Sequence, residues 1–155
     1  MKLNQQGFTL VELIVVIVIL GILAATALPR FINVTGDART AAVQGFAGGI
    51  RSATALVQAR YFATGSSGST SVTMGDNTTV AVAAGTGIPT GAAVGIGDAI
   101  AGEGACIAGA GGCSGFTAVF GASSTFQPTN GGSATCGVTY DETNGAVVAT
   151  ITGCP

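Results

Sequence analysis

The stretch GFTLVELIVVIVILGILAATALPR, residues 7–30, decides the fold of this protein. Its core, from Phe8 to Leu28, contains a single charged side chain, Glu12. A helix needs roughly 20 apolar residues to cross a bilayer, so the run predicts a helix of membrane length. A carboxylate inside such a segment is costly. Glu12 therefore needs a specific reason to be there.

Two residues weaken this predicted helix. Gly21 costs about 1 kcal/mol relative to alanine in a helix interior. Pro29 removes a backbone hydrogen bond and tends to kink or loosen a helix. We therefore expect the segment between Gly21 and Pro29 to bend or partly unwind.

An amphipathic pattern continues the helix to about residue 62, with apolar residues recurring at spacings of three and four. The predicted stripe comprises Phe31, Val34, Ala38, Ala41, Ala42, Gly45, Phe46, Gly49, Ile50, Ala53, Leu56 and Val57. Its main expected role is to seat the helix on its own globular domain, although the small residues would also let another backbone approach. A helix of this length would span about 80 Å, more than a small domain needs, so part of it must serve something outside the domain.

From about Thr64 onward the chain is rich in glycine, serine and threonine and is prone to form strands. The predicted strands are Ser71–Met74, Thr78–Ala83, Gly115–Phe120, Ala134–Asp141 and Ala146–Thr152. The glycine-rich part of residues 88–112 gives no clear pattern. The sequence thus predicts an α+β fold in which a long N-terminal helix packs on a small antiparallel β-sheet.

The chain has four cysteines, Cys106, Cys113, Cys136 and Cys154. An even number after an export-like segment predicts disulfides, and the gaps between the cysteines do not match a zinc site. Asn144-Gly145 predicts a two-residue hairpin turn, which would place Cys136 opposite Gly153 and one step from Cys154. A slightly longer loop or a bulge makes a Cys136–Cys154 bridge plausible and leaves Cys106 for Cys113. The other two pairings remain open.

The composition argues against catalysis and against nucleic-acid binding. Charged residues make up 8% of the chain, there is no histidine, and lysine and arginine together number 5. Phosphate neutralisation needs clustered basic residues, and a phosphate-binding loop needs a lysine that is absent after Lys2. The adjacent Asp141 and Glu142 are interpreted as polar residues of a turn. We therefore predict a structural protein, not an enzyme, with no cofactor, no metal site and no nucleic-acid partner.

An ordinary cleavable signal peptide is one alternative for the N-terminal run, because Ala25-Thr26-Ala27 is similar to a signal-peptidase site. The run is long for a signal core, however, and this interpretation leaves Glu12 unexplained. A plain membrane anchor leaves it unexplained as well.

Residues 1–31 resemble the class III signal of type IV pilins. The resemblance lies in Lys2, in Gln6-Gly7-Phe8-Thr9-Leu10-Val11-Glu12-Leu13, in the apolar run and in Pro29. It implies that a prepilin peptidase cuts between Gly7 and Phe8 and methylates the new amine of Phe8. Residues 7–43 and the tail from Cys136 to Cys154 resemble MSHA-type (mannose-sensitive haemagglutinin) pilins in particular, whereas residues 64–130 carry no such resemblance.

The resemblance implies four regions. These are a leader peptide (1–7), a hydrophobic transmembrane or filament-core half-helix (8–30), an amphipathic half-helix (31–62) and a disulfide-containing β-domain (63–155). It further implies an inner-membrane precursor that polymerises with its own copies into an adhesive surface filament, with help from the peptidase, an assembly platform and its ATPases. A pseudopilin of a type II secretion system and an anchored binding domain that does not polymerise are the alternatives.

Glu12 acquires a role in this scheme. Cleavage would expose a positive amine on Phe8, and burying an amine and a carboxylate together costs far less than burying either alone. Glu12 could pair with the amine of its own chain or with that of the preceding subunit, and the second choice would set the axial register. Thr9 and Glu12 also match a helix capping box, with the acid near the positive end of the helix dipole, and the two roles can coexist.

Overall fold

The structure is a computed structural model of the 155-residue chain, and it describes residues 7–65, 67–101, 106 and 109–154. Residues 1–6 of the predicted leader peptide lie outside this part. The elements are α1 (Leu10–Ala63), β1 (Ser71–Thr73), β2 (Thr79–Ala81), α2 (Asp98–Ala101), β3 (Gly109–Cys113), β4 (Phe116–Val119), β5 (Ser123–Pro128), β6 (Gly137–Asp141) and β7 (Val147–Thr150). The predicted α+β fold, a long N-terminal helix followed by an antiparallel sheet, is confirmed.

The chain divides into two compact units, and the division falls after Gly36, inside α1. In the first unit the backbone is helical from Leu10 onward, including the residues from Gly21 to Pro29. The predicted bending of that segment therefore stays a prediction about another state of the protein. Within the described residues, no helix combines the length and hydropathy that crossing a membrane requires.

In the second unit, α1 packs on the rest of the domain through one face. The buried residues of this face recur at alternating spacings of four and three: Val43, Ala47, Ile50, Thr54, Val57 and Tyr61. The predicted stripe was centred wrongly, because Gly45 and Gly49 are exposed and Leu56 is 61% exposed. This part of α1 has two apolar faces. The bulkier side chains fill the core, while many of the small ones face outward.

Five strands, β3 to β7, form one antiparallel sheet in chain order. Its buried residues, among them Phe116, Phe126 and Val138, share a core with α1. The pair β1–β2 forms a separate two-stranded ribbon, whose Val72 and Val80 pack with Tyr61 near the end of α1. A turn of π-helix, Ala93–Gly97, leads into α2.

Two strands of the sheet were missed by the sequence analysis. The β3 segment reads GAGGC and the β5 segment SSTFQP, so neither has the run of β-branched residues that indicates a strand. Both are set by pairing with neighbours: Gly109 lies opposite Ala118, and Phe126 lies opposite Val138.

A guanidinium group of the helix donates a hydrogen bond to the edge strand β7. Arg51 donates a hydrogen bond from Nη2 to the main-chain carbonyl of Val147, at 2.9 Å. Arg51 is exposed on α1, so this hydrogen bond lies at the surface of the domain, beside the edge of the sheet. It ties the helix to a strand that, among the described residues, pairs with β6 alone.

The loop between the last two strands consists of residues 142–145, as the predicted strand bounds implied, and the two-residue turn at Asn144-Gly145 is wrong. The N–H of Asp141 donates to the carbonyl of Ala146 at 2.9 Å, so four residues, 142–145, form the loop. A type I′ turn needs positive φ at both central residues, and of Asn144 and Gly145 only the glycine has it, at 71°. The carboxylate of Asp141 stabilises the longer loop by accepting hydrogen bonds from the N–H and the hydroxyl of Thr143, at 2.8 and 2.6 Å.

The prediction of disulfides is confirmed, and the pairs are Cys106–Cys113 and Cys136–Cys154. The observed register places Gly137 opposite Thr150, so the hairpin alone does not bring Cys154 to Cys136. A turn after β7 does so instead, where the N–H of Gly153 donates to the carbonyl of Thr135 at 3.0 Å. The second bridge therefore ties the C-terminal turn to the start of β6.

A buried phenol joins β6 to the segment before the π-helical turn. Tyr140 is fully buried, and its hydroxyl donates a hydrogen bond of 2.6 Å to the carbonyl of Pro89. Burial raises the pKa of the Tyr140 hydroxyl above its ordinary value of 10.0, because the phenolate would lose its hydration. The folded state therefore keeps this group neutral at pH values where the unfolded chain ionises it.

We expect Tyr140→Phe to make the domain less sensitive to alkali. In the wild type the contribution of the Tyr140 hydroxyl to the free energy of unfolding is fully present below about pH 10. It is lost as the pH rises further, because the unfolded chain then releases the phenol proton readily and the folded chain does not. At neutral pH the variant should be less stable by about 1–2 kcal/mol, since the Pro89 carbonyl loses its donor. Denaturant titrations of both proteins between pH 7 and 11 test this. Parallel pH profiles would contradict it.

Candidate functional site

The first unit of the structure presents an apolar surface on all sides of the helix. Its large side chains from Phe8 to Leu23 are between 47% and 88% exposed, with Phe8 the most exposed of them. A helix that is hydrophobic all round belongs in a membrane or in the core of a larger assembly. This surface therefore needs a cover from outside the chain.

Thr9 begins the helix and uses the main chain of Glu12 to do so. The N–H of Glu12 donates to Oγ1 of Thr9 at 3.3 Å, and the N–H of Leu13 donates to the carbonyl of Thr9 at the same distance. Thr9 is therefore the N-cap residue, as the capping-box pattern suggested. The structure brings these two predicted site residues together.

The carboxylate of Glu12 takes no part in that cap. Among the described residues no hydrogen bond or ion pair of this carboxylate is found, so only the threonine half of the capping box is formed. The side chain lies in the exposed first turn of the helix, beside Phe8 and Leu13, which are 88% and 62% exposed. Glu12 is thus available for an ionic partner that an assembly would provide.

Thr26 is a residue that the sequence analysis did not single out as functional. Its hydroxyl donates to the carbonyl of Leu23 at 3.0 Å and lies 3.5 Å from that of Ile22. Such back-bonding by threonine competes with the helix ladder and often bends helices. Thr26 lies between Gly21 and Pro29, so it adds to the predicted weakness there. A threonine within an apolar helix run was the signal that could have found it.

The remaining polar candidates have structural surroundings. Asp141 organises its own loop, and the Thr143 hydroxyl and N–H bonded to it hold the pKa of that carboxyl below its ordinary value. Glu142 accepts a hydrogen bond from the N–H of Gly91 through Oε2 at 2.6 Å. A side chain on Gly91 would collide with the carbonyl of Gly121, so this close approach requires glycine. In the part of the chain that the structure describes, no cluster of three or more metal-ligating side chains is found.

Comparison with known proteins adds three similarities. A family model for the prokaryotic N-terminal methylation motif matches residues 2–28. The type IV narrow pilus major component PilA5 of Thermus thermophilus is 45% identical over 89 residues, covering 50% of this chain and 77% of that protein. The type IV major fimbrial protein FimA of Dichelobacter nodosus is 43% identical over 53 residues, about a third of each chain.

A shorter similarity links the chain to the type IV major alpha-pilin of Moraxella bovis, which is 51% identical over 41 residues, or 26% of each chain. The chain thus matches only about a third or less of this protein and of FimA, but more than two thirds of PilA5. No solved structure matches it.

Proposed function

The chain belongs to the type IV pilin family and is a structural subunit of a type IV pilus, and from this premise we propose how its residues work. A prepilin peptidase cuts between Gly7 and Phe8 and methylates the amine of Phe8. The methylation motif that covers residues 2–28 supports this step. Residues 1–7 are then the leader, and the mature subunit begins at Phe8.

The observation that carries the proposal is the exposed apolar half-helix with one acid at its head. From Phe8 to Leu23 the large side chains have no cover in the described chain, and the Glu12 carboxylate has no partner there. In the precursor, the inner membrane covers this surface. In the filament, the apolar half-helices of other copies cover this surface in place of the lipid. Helices in an environment without water associate through close packing of their side chains.

Glu12 selects the correct position of an incoming subunit. The new amine on Phe8 is positive, and burying it without a partner would cost several kcal/mol. A subunit whose Glu12 lies beside the amine of its neighbour relieves that cost, and a subunit displaced along the axis does not. The segment from Gly21 to Pro29, with the back-bonded Thr26, adapts the helix to this packing by bending or stretching.

The β-domain supplies the outer surface of the filament. We assign the chain to the MSHA-type pilins within the family, on the resemblance of residues 7–43 and of the tail from Cys136 to Cys154. Adhesion is the proposed use of the filament. Other copies of the chain, the peptidase, the assembly platform and its ATPases are the proposed partners, and the mature protein is a component of the cell surface.

Mass spectrometry of sheared surface filaments tests the processing step. The expected subunit starts at Phe8, carries one additional methyl group on its amine and contains two disulfides. As a control, Gly7→Leu should leave an uncut precursor in the inner membrane, because the bulky side chain would obstruct the cut after residue 7. A filament subunit that retains residues 1–7, or one cut after Ala27, would refute the proposal.

A further inference from the structure

A groove in the second unit lies between α1, α2 and the turn that joins β3 to β4, and its volume is about 350 Å³. Its lining includes Phe46, Ile50, Phe116, Gly45, Gly49 and Ala53. Ser114 is its one polar side chain, and no lining residue is charged. A concave apolar surface of this size is typical of a binding site.

The walls of the groove are preformed. The ring of Phe46 stacks on that of Phe116 with 4.0 Å between centroids and 12° between planes, and it also contacts Phe126 at 5.4 Å. The disulfide between Cys106 and Cys113 holds the strand that leads into the turn. Binding of a partner would therefore require little ordering of the groove, and the entropic cost of binding would be small.

On the α1 side of the groove, two positions carry no side chain although the fold of the domain has room for one. At Gly45 and Gly49, no atom other than those of the adjoining backbone of α1 lies within 4 Å of the place where a Cβ atom would stand. Glycine disfavours a helix relative to alanine, so alanine at either position would suit the isolated domain better. Glycine at these positions is explained if another backbone approaches α1 closely from outside.

We propose that this groove binds the apolar segment Leu13–Leu23 of a second copy of the chain. This inference rests on the proposed function, because polymerisation places further copies beside each subunit. The segment has large aliphatic side chains that are exposed in the described structure, and an apolar helix laid into an apolar groove is a common recognition mode. Since no lining residue carries a positive charge to pair with a carboxylate, we place Glu12 outside the groove and the apolar segment that follows it inside.

Two neighbouring glycines provide a matched pair of variants. Gly49 lines the groove and Gly48 does not, yet both are exposed on α1. At both positions, only the adjoining backbone of α1 lies within 4 Å of where a Cβ atom would stand. Both Gly49→Leu and Gly48→Leu should therefore fold, with a melting temperature no lower than that of the wild type. We expect Gly49→Leu to reduce the yield of sheared filaments about tenfold or more, because the leucine occupies the space of the incoming helix. Gly48→Leu should assemble like the wild type.

Equal filament yields from the two variants, whether both normal or both reduced, would overturn the proposal. Photocrosslinking provides a second readout. Benzoylphenylalanine in place of Ile17, in filaments that still assemble, should crosslink to the peptides around Phe46 or Phe116 of another subunit. Crosslinks confined to the outer face of the sheet, or to the apolar half-helix of other copies, would overturn it. Wild-type filaments whose subunits start at methylated Phe8 would in that case leave the proposed function intact.

Discussion

Replacement of Glu12 by alanine is expected to abolish filaments while the mature subunit still accumulates, cut and methylated at Phe8. The amine of Phe8 would then enter the apolar bundle without a partner, at an effective cost of several kcal/mol for each subunit. Because every added subunit bears the same cost, polymerisation should fail altogether. Electron microscopy of the cell surface and mass spectrometry of the membrane fraction measure the two halves of this result.

Thr9→Ala is the matched control for helix capping. It removes the hydroxyl that accepts the N–H of Glu12 at 3.3 Å but keeps the carboxylate. Loss of an N-cap costs about 1 kcal/mol, so these cells should still carry filaments. Normal filaments in the Glu12→Ala strain would eliminate the ionic role, and an equal loss in both strains would assign the whole effect to the cap.

Removal of the Cys136–Cys154 bridge, by Cys136→Ala together with Cys154→Ala, should have the largest effect on stability. The bridge joins residues 18 positions apart, and closing a loop of this size in the unfolded chain is worth about 3 kcal/mol. For a domain of this size, that loss corresponds to a melting temperature lower by about 10 °C. Thermal unfolding of the mature protein in detergent, followed by circular dichroism, measures the shift.

The pair Cys106 and Cys113 serves as the comparison, because this bridge spans only 7 positions. Its two cysteines are buried, whereas in the longer bridge Cys136 is buried and Cys154 half-buried. Its replacement by alanines should destabilise the domain by about 2 kcal/mol, less than the loss of the longer bridge. Reduction of the wild type distinguishes a lost crosslink from a cavity, since reduction leaves the sulfur atoms in place. A smaller shift for the 136–154 pair than for the 106–113 pair would contradict the chain-entropy argument.

Much of the architecture could be predicted because its signals are local. The apolar run from Phe8 to Leu28 indicates its helix without any knowledge of the rest of the chain. The N-cap at Thr9 could likewise be predicted, because the cap is made within one turn. Glu12 attracted attention because a charge in such a run conflicts with its surroundings. Features of this kind depend on residues that are close in sequence.

The features that the sequence did not reveal depend on residues that are far apart. Whether an apolar residue of α1 faces the core, as Ile50 does, or solvent, as Gly49 does, is decided by where the sheet packs. The strand Gly109–Cys113 exists because β4 pairs with it, not because of its own composition. The last hairpin differs from the Asn-Gly rule because the Asp141 side chain stabilises a longer loop. In each case a tertiary contact outweighed a local preference.

The hydrogen bond from Arg51 to the carbonyl of Val147 also affects which strands can pair with the edge of the sheet. The exposed edge of a sheet carries unpaired main-chain groups, with which a strand of another copy can pair when copies lie close together. The guanidinium of Arg51 occupies the Val147 carbonyl, an acceptor that such a strand would need, and places a positive charge beside that edge. The same side chain that ties the helix to the sheet thus disfavours pairing of a foreign strand with the edge of β7.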